Sequence, residues 1–466
     1  MKNVGEIKMF NKNTYVERRK NLKEKLKSGL VLLPGNKEVM INYFTYYRQD
    51  VNFLYYFGHE DSMLWGIIDI DEDKDYLFGD DRLIDDVVWM GPDVPASEKA
   101  ERVGAVSMPY ESISKVISEA KEKNKKIHFL PQYDANTALF IGSLLGINYN
   151  DLRENVSMDL VKAVIAQRSI KTPEEVEQIV MALNTSYMMN TFAMKQTKPG
   201  LYEKDIYGAL EGIALSQGSG VSFPMIFSIR GETLHNEKHE NLMKEGDLAL
   251  LDSGAESPLH YASDITRTFP VNGKFTDKQK DIYNVVLNSQ LESINLMNEG
   301  VPFRDCHLKA ASVIAGGLKD IGLMKGDIND AVQHGAHALF FPHGLGHMMG
   351  LDVHDMEPLG ENNVGYNEEF KRSDQFGLAY LRMAKKLEPG FVMTVEPGIY
   401  FIPQLISEWK SKNKHAEFIN YDKVDEYLDF GGIRIEDDVL ITNEGPLVLG
   451  KPIPKTIDEV EETCNS

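Results

Sequence analysis

Between Tyr15 and Ile170, charged stretches with helical spacing alternate with short apolar runs. Residues 16–27, 112–123 and 135–145 predict helices, and the runs at 30–33, 64–70 and 127–130 predict strands. Pro34-Gly35 closes the first run, and the acidic turn Asp71-Glu72-Asp73 follows the second. The pattern predicts a small α/β domain.

The pattern changes at Thr172-Pro173-Glu174-Glu175. A threonine cap, a proline at the first helical position and a glutamate three residues after the cap together predict a helix N-terminus. Val176, Ile179, Val180, Leu183 and Tyr187 then recur at helical spacing, so a long amphipathic helix opens a second domain. The expected division is 1–171 and 172–466. A weak internal repeat runs through the second domain. Lys198-Pro199-Gly200-Leu201 precedes Asp205, as Asn298-Glu299-Gly300-Val301 precedes Asp305, each aspartate five residues after its glycine. Two α/β halves with a site between them would give that repeat. Residues 362–374 and 407–427 read as polar insertions between strand-like segments, of the length that serves as lids or oligomer contacts.

A length of 466 residues suits two or three domains, and 42% hydrophobic with 26% charged residues is ordinary for a globular protein. The formal net charge of −21 argues against a nucleic-acid or anionic-membrane partner and is compatible with divalent cations. Cys306 and Cys464, the two cysteines, are too far apart in sequence to imply a disulfide framework or a zinc–cysteine site. Residues 1–15 lack the apolar core of a secretory signal, and no window approaches 18 consecutive apolar residues. A cytoplasmic location is the expectation.

Chemistry gathers in the second domain. Asp252 closes the run Leu248-Ala249-Leu250-Leu251, Asp264 stands in Ser263-Asp264-Ile265-Thr266-Arg267, Glu396 in Thr394-Val395-Glu396-Pro397-Gly398, and Glu436 in Gly432-Ile433-Arg434-Ile435-Glu436. His347 ends His343-Gly344-Leu345-Gly346-His347. A carboxylate beside strand-like apolar residues is costly to bury without a positive partner, and five such positions suggest a metal centre. Oxygen-rich ligation favours Mn²⁺ or Mg²⁺, with Co²⁺ or Zn²⁺ able to substitute. Four negative ligands are balanced by two divalent ions better than by one. Such a pair, typically about 3.5–4 Å apart, supports hydrolysis of a carbonyl substrate. Arg434, two residues before Glu436, would project on the same strand face and orient that carboxylate. Five of the twelve histidines fall between His334 and His354. His343, His354 and the upstream His235 are candidates for proton donation and for oxyanion or substrate contacts.

Taken singly, Asp252 or Glu396 would read as a cap or turn carboxylate, and Glu436-Asp437-Asp438 as a solvated acidic turn. Their joint occurrence makes the case. His334, His337, His239, His260, His59 and His128 read as structural or surface histidines, Glu237 and Glu240 as surface charges, and Cys306 as a core residue.

The segments Asp252-Ser253-Gly254, Ser263-Asp264-Ile265-Thr266-Arg267-Thr268-Phe269-Pro270, Pro342-His343-Gly344-Leu345-Gly346-His347 with Val353-His354-Asp355, Val395-Glu396-Pro397-Gly398 and Gly432-Ile433-Arg434-Ile435-Glu436-Asp437 together resemble the proline-specific pita-bread metallopeptidases, aminopeptidase P and prolidase. Arg48-Gln49-Asp50-Val51-Asn52-Phe53 and Trp89-Met90-Gly91 resemble that family's creatinase-type N-terminal domain. The resemblance implies an α/β chain in which a creatinase-like α/β domain precedes a pita-bread α/β metallopeptidase domain with internal pseudo-twofold symmetry. It makes Asp252 a ligand of one metal, Asp264 and Glu436 bridging ligands, and His347 and Glu396 ligands of the other. Glu396 would also shuttle the proton of the attacking water. His354 and His235 would contact the scissile carbonyl and the proline side of the substrate, His343 would support the site, and Arg434 would orient Glu436. Eleven residues lie between Asp252 and Asp264, one more than the family's usual spacing, and a longer hairpin tip or a bulge would absorb the extra residue.

The implied activity is that of an Xaa-Pro aminopeptidase, an exopeptidase with two divalent ions, Mn²⁺ first among them. It would act on small peptides with proline in the second position, as a homodimer. The alternative is an Xaa-Pro dipeptidase, for which Arg382 in Leu381-Arg382-Met383 would bind the free proline carboxylate. Residues 430–442 look prolidase-like, and residues 318–325 with Thr268-Phe269-Pro270 look like aminopeptidase P. Metal-free pita-bread relatives serve as binding modules or as creatinase, but they lack an intact ligand set.

Overall fold

The computed structural model describes residues 9–39, 42 and 47–466. Of the segment 1–15 read for a targeting signal, residues 1–8 lie outside the described residues. The chain forms two compact units that divide after Arg168, three residues before the expected boundary, and Pro358–Asn363 belongs with the first unit.

The first unit is built on a five-stranded mixed sheet in the order Val106–Met108, Lys74–Phe78, Trp65–Asp69, Leu30–Pro34, Ile127–Phe129. Leu30–Pro34 runs antiparallel to Trp65–Asp69, with Leu32 opposite Ile67, and parallel to Ile127–Phe129. Alternate residues of a strand face opposite sides. Leu30, Leu32, Trp65, Ile67 and Phe78 accordingly share a core with Ile113 and Ile117 of helix Ile113–Glu122 and Ile141 of helix Ala135–Leu145. The side chains between them, Val31, Leu33 and Ile68, are also at most 1% exposed, so the central strands are covered on both faces. The elements expected from the apolar pattern are present, and the helix expected at 16–27 forms at Lys12–Leu26. Lys74–Phe78 and Val106–Met108 escaped the pattern because they are only partly buried, and Lys74, Asp75 and Ser107 interrupt their apolar residues.

The second unit opens as expected. Thr172 caps helix Pro173–Gln196, its side chain accepting from Glu175 N, while Glu175 reaches back to Thr172 N. The buried face differs from the expected stripe. Ile179 and Leu183 are buried, but Val176, Val180 and Tyr187 are only half-buried, and the face continues through Ala182, Ser186, Met189 and Asn190. Small and polar residues complete it because Ser186 bonds Ser263 and Asn190 reaches Ser253.

The repeat is a real structural duplication. Helices Pro173–Gln196 and Glu203–Gln217 are matched by Asp277–Leu296 and Phe303–Asp320. Between each pair, a glycine adopts positive φ, Gly200 at 94° and Gly300 at 79°, which residues with a Cβ seldom adopt. Gly200 N then donates to Met243 O as Gly300 N donates to Leu387 O, and Met243 N returns to Leu201 O as Leu387 N returns to Val301 O. Each ladder leads into an apolar strand, Leu248–Ser253 in one half and Val392–Val395 in the other. The first pairs antiparallel with Ile265–Pro270, the second with Asp437–Thr442. Glu436 N donates to Thr266 O and joins the two ladders.

The hairpin between Asp252 and Asp264 contains no bulge. Asp252 pairs with Thr266 and Ser253 with Ile265, the register continues through the bridge Glu256–Ala262, and Ser257 N donates to Tyr261 O. The extra length lies at the tip, where His260 takes a positive φ of 64°. Of the two expected insertions, 407–427 is not a loop throughout, because it begins inside helix Pro403–Ser411. Ile406 and Trp409 supply that helix's buried side in an otherwise polar stretch.

Candidate metal centre

The four candidate carboxylates stand at or just beyond strand ends of the second unit. Asp252 faces Thr266 across the first hairpin, so Asp264, two residues before Thr266, projects from the same face. In the second half Asp437 pairs with Val395, and the next step along the antiparallel pair sets Glu436 opposite Glu396. His347 lies on a segment laid beside Val392–Val395. Its N–H donates to Thr394 Oγ1 at 3.0 Å, Thr394 N donates back to His347 O, and Glu396 N donates to Leu345 O. Gly346 makes that approach possible, because a Cβ there would stand 2.1 Å from Thr394 O.

Ligand atoms of Asp264, His347 and Glu436 all lie within 4.8 Å of one another, and all three residues are buried. His347 Nε2 is 3.4 Å from Asp264 Oδ2 and 3.6 Å from Glu396 Oε1. Its Nδ1 faces Met348 O at 3.1 Å; with the proton there, the Nε2 lone pair points at the carboxylates. Asp252 joins through Arg434, whose Nη2 donates to Asp252 Oδ2 at 2.5 Å. Arg434 was expected to orient Glu436, but the bond to Glu436 Oε2 comes from Thr266 Oγ1, at 2.7 Å, and Arg434 Nε donates to that same hydroxyl.

So much negative charge in a buried site is unstable alone. Burial, then Glu436 and Asp252, hold the Asp264 carboxyl well above the carboxylate range. Burial, then Glu396 and Asp252, do the same to Glu436. Burial lifts Glu396 to about 8, with Arg434 opposing. His347 is held well below its ordinary value by burial and by His354, whose ring centroid is 4.4 Å away. Asp252 Oδ1 and Asp264 Oδ1 are buried and accept no hydrogen bond. Carboxylate oxygens that accept no hydrogen bond, a neutral imidazole and mutually repelling buried carboxylates suit a divalent cation, so the residues fit such metals.

Beside the cluster a cavity of about 550 Å³ opens, lined by all ten predicted site residues, with Phe223, Ile226, Leu234, Val353, Ile402 and Leu405 adding apolar surface. His235, His354 and Arg382 line it. His343 Nδ1 is 2.8 Å from Gly344 O and its Nε2 2.9 Å from Tyr400 Oη, which also accepts from Arg434 Nη1. Burial and Arg434 depress His343 to about 3, so it is neutral. A neutral ring donating from Nδ1 accepts the Tyr400 hydroxyl at Nε2, linking Arg434, Tyr400 and His343 in one chain. His354 Nδ1 is 3.3 Å from Glu357 Oε2, and Glu357 also pairs with Arg382.

Sequence reasoning missed Thr266, Tyr400 and Asp438, which accepts from Asp264 N at 3.2 Å. Asp437 and Asp438 are buried in strand Asp437–Thr442 rather than in a solvated turn, and Asp437 is neutralised by Arg267 and Lys455. Glu237, read as a surface charge, lines the cavity. His334, His239, His260, His59 and His128 lie elsewhere, bonded to Asp330 O, Phe227 O, Glu256, Lys99 O and Ser157 respectively. His337 and Cys306 are buried.

Residues 180–443 match the model of metallopeptidase family M24, and residues 15–148 that of the aminopeptidase P N-terminal domain. A human protein named Xaa-Pro dipeptidase is 32% identical over 93% of this chain and 88% of its own length. A Sordaria macrospora protein named probable Xaa-Pro aminopeptidase is also 32% identical, over 89% and 86%. The structure of Pseudomonas aeruginosa aminopeptidase PepP superposes with a TM-score of 0.81 at 27% identity, covering 98% of both chains. A point variant of Escherichia coli aminopeptidase P in complex with substrate gives 0.80 at 28%, over 98% of this chain and 99% of that one. The chain is therefore a hydrolase of metallopeptidase family M24, in its aminopeptidase P and prolidase group, with a pita-bread domain behind an aminopeptidase P-type N-terminal domain.

Proposed function

We propose that the protein is an Xaa-Pro aminopeptidase that removes the residue preceding a proline in the second position of a peptide, using two divalent metal ions. The observation that supports the reading is a single cavity lined by four carboxylates and His347 together with apolar side chains, with Asp264, His347 and Glu436 within 4.8 Å of one another. Asp252, Asp264, His347, Glu396 and Glu436 would hold the ions, Mn²⁺ foremost and Co²⁺ or Zn²⁺ as substitutes. When bound, the ions would supply an activated water and a polarised scissile carbonyl.

The remaining work falls to side chains. Glu396, beside His347 on the cavity wall, takes the proton of the attacking water and delivers it to the leaving nitrogen. Proline makes that delivery necessary, because its tertiary amide has no N–H and its ring excludes ordinary protease clefts. His354 and His235 hold the carbonyl and the proline side, and the apolar wall receives the ring. His343 and Arg434 position the site through Tyr400 and Asp252.

Arg382 on the cavity wall supports the second reading, an Xaa-Pro dipeptidase, because a guanidinium could receive the free carboxylate of a terminal proline. We favour the aminopeptidase because Arg382 is already paired with Glu357. The net charge of −21 suits neither nucleic acid nor an anionic membrane as partner, and among the described residues no helix is long and apolar enough to cross a membrane. A cytoplasmic homodimer completes the reading.

The test is hydrolysis of Gly-Pro, Gly-Pro-Ala and Gly-Ala-Ala by the Mn²⁺-loaded enzyme. Cleavage of Gly-Pro-Ala before proline, with Gly-Ala-Ala untouched, is the expected result. Cleavage of Gly-Pro alone would make it a dipeptidase, and cleavage of neither would overturn the reading.

A further inference from the structure

Glu357 connects two side chains of the cavity wall that the proposed chemistry treats separately. Its Oε2 lies 3.3 Å from His354 Nδ1, and its Oε1 accepts from Arg382 Nη1. With 25% of the Glu357 side chain and 31% of Arg382 exposed, the pair is screened less than one on the open surface. The backbone turns back to make these contacts. Met356 adopts a left-handed φ of 64°, an unfavourable conformation for a residue with a Cβ, and Glu357 N donates to His354 O.

We propose that Glu357 is a specificity-determining residue, an internal counter-ion that engages Arg382 and thereby disfavours Xaa-Pro dipeptides relative to longer peptides. The inference rests on the Xaa-Pro exopeptidase reading and deepens it. In an Xaa-Pro dipeptide the free carboxylate belongs to the proline, so it enters the cavity with the ring. In a longer peptide the same position is a neutral amide, and the terminal charge lies at least one residue farther out. A dipeptide carboxylate that reaches for Arg382 meets Glu357 already bonded there, and two carboxylates around one guanidinium repel each other. Disfavouring one substrate by like charge is an effective route to selectivity where the rest of the ligand is shared.

Gly-Pro and Gly-Pro-amide isolate this effect, since they share length and ring and differ in charge at the proline carboxyl. The unaltered metal-loaded enzyme should cleave Gly-Pro-amide with a kcat/KM about threefold or more above that of Gly-Pro. E357Q keeps the side chain's shape and removes its charge. It should raise the acid-to-amide ratio by about tenfold or more, chiefly through a lower KM for Gly-Pro, as expected for one charge-assisted hydrogen bond gained. Any change in His354 affects both peptides and cancels in the ratio. Adding R382M to E357Q should abolish the gain. An unchanged ratio in folded, metal-loaded E357Q overturns the inference while leaving the Xaa-Pro reading intact. So does a tenfold preference for the acid in the unaltered enzyme, a result that does not depend on the variant folding. Cleavage of neither peptide by the unaltered enzyme overturns the Xaa-Pro reading and this inference with it.

Discussion

Arg434 donates from Nη2 to Asp252 Oδ2 at 2.5 Å, across 182 residues of sequence. The same guanidinium donates from Nη1 to Tyr400 Oη and from Nε to Thr266 Oγ1. It therefore fixes one carboxylate directly, a second through the Thr266 hydroxyl, and His343 through Tyr400.

Three donors in a rigid fork cannot be reproduced by an ammonium. R434K should lower kcat about 10–100-fold and weaken metal affinity by a similar factor, as loss of a ligand's supporting hydrogen bond does. Steady-state kinetics beside metal titration by calorimetry checks this, and a lysine variant equal to the unaltered enzyme would refute it.

Asp264 and His354 separate metal binding from turnover. D264A should abolish activity and reduce bound metal, because Asp264, His347 and Glu436 converge on one point. H354A should slow turnover while metal stays bound. Metal analysis of both purified variants decides the matter, and metal loss in H354A would show that histidine to be a ligand.

The metal-free site should be sensitive to pH. Asp264 and Glu436 are raised well above the carboxylate range and Glu396 to about 8, all first by burial. A raised folded pKa contributes stability that is complete below about pH 4, where the unfolded chain is still protonated, and is lost as pH rises through about 8. Metal binding has the opposite slope, since its ligands must be deprotonated. The gap in Tm between Mn²⁺-loaded and chelator-treated protein should therefore widen from about pH 5.5 to about pH 8.5. Calorimetry at the two values would show it, and an equal gap would count against the cluster as the metal site.

Lys171 and Asp355 form an ion pair with both side chains 1% exposed. Asp355 follows His354 directly, and Asp355 N donates to Met348 O, next to His347. K171M should destabilise the protein by about 3–5 kcal/mol, because it removes the positive charge facing the buried Asp355 carboxylate. Urea denaturation measures this, and a loss below about 1 kcal/mol would show the pair to be dispensable.

The candidate cluster was legible because a carboxylate beside apolar strand residues, as at Asp252 or Glu436, is costly to bury, and the cost is visible in sequence. The helix at Pro173 was legible because Thr172 and Glu175 satisfy its first N–H groups locally. The roles of Thr266 and Tyr400 were not, since a neutral hydroxyl inside a strand looks the same whether or not it bonds a ligand. Arg434's partner was hidden for another reason. Its neighbour in sequence is Glu436, whereas its hydrogen-bonded partner Asp252 is supplied by the other half of the duplicated fold. Helix Pro403–Ser411 was obscured because two buried side chains, Ile406 and Trp409, carry its packing among polar residues.

The most direct test of the central claim is glycine release from Gly-Pro-Ala by metal-stripped protein as Mn²⁺ is added back. The account predicts no release without metal and full recovery as two ions bind each chain. Undiminished release by protein shown to be metal-free would contradict it.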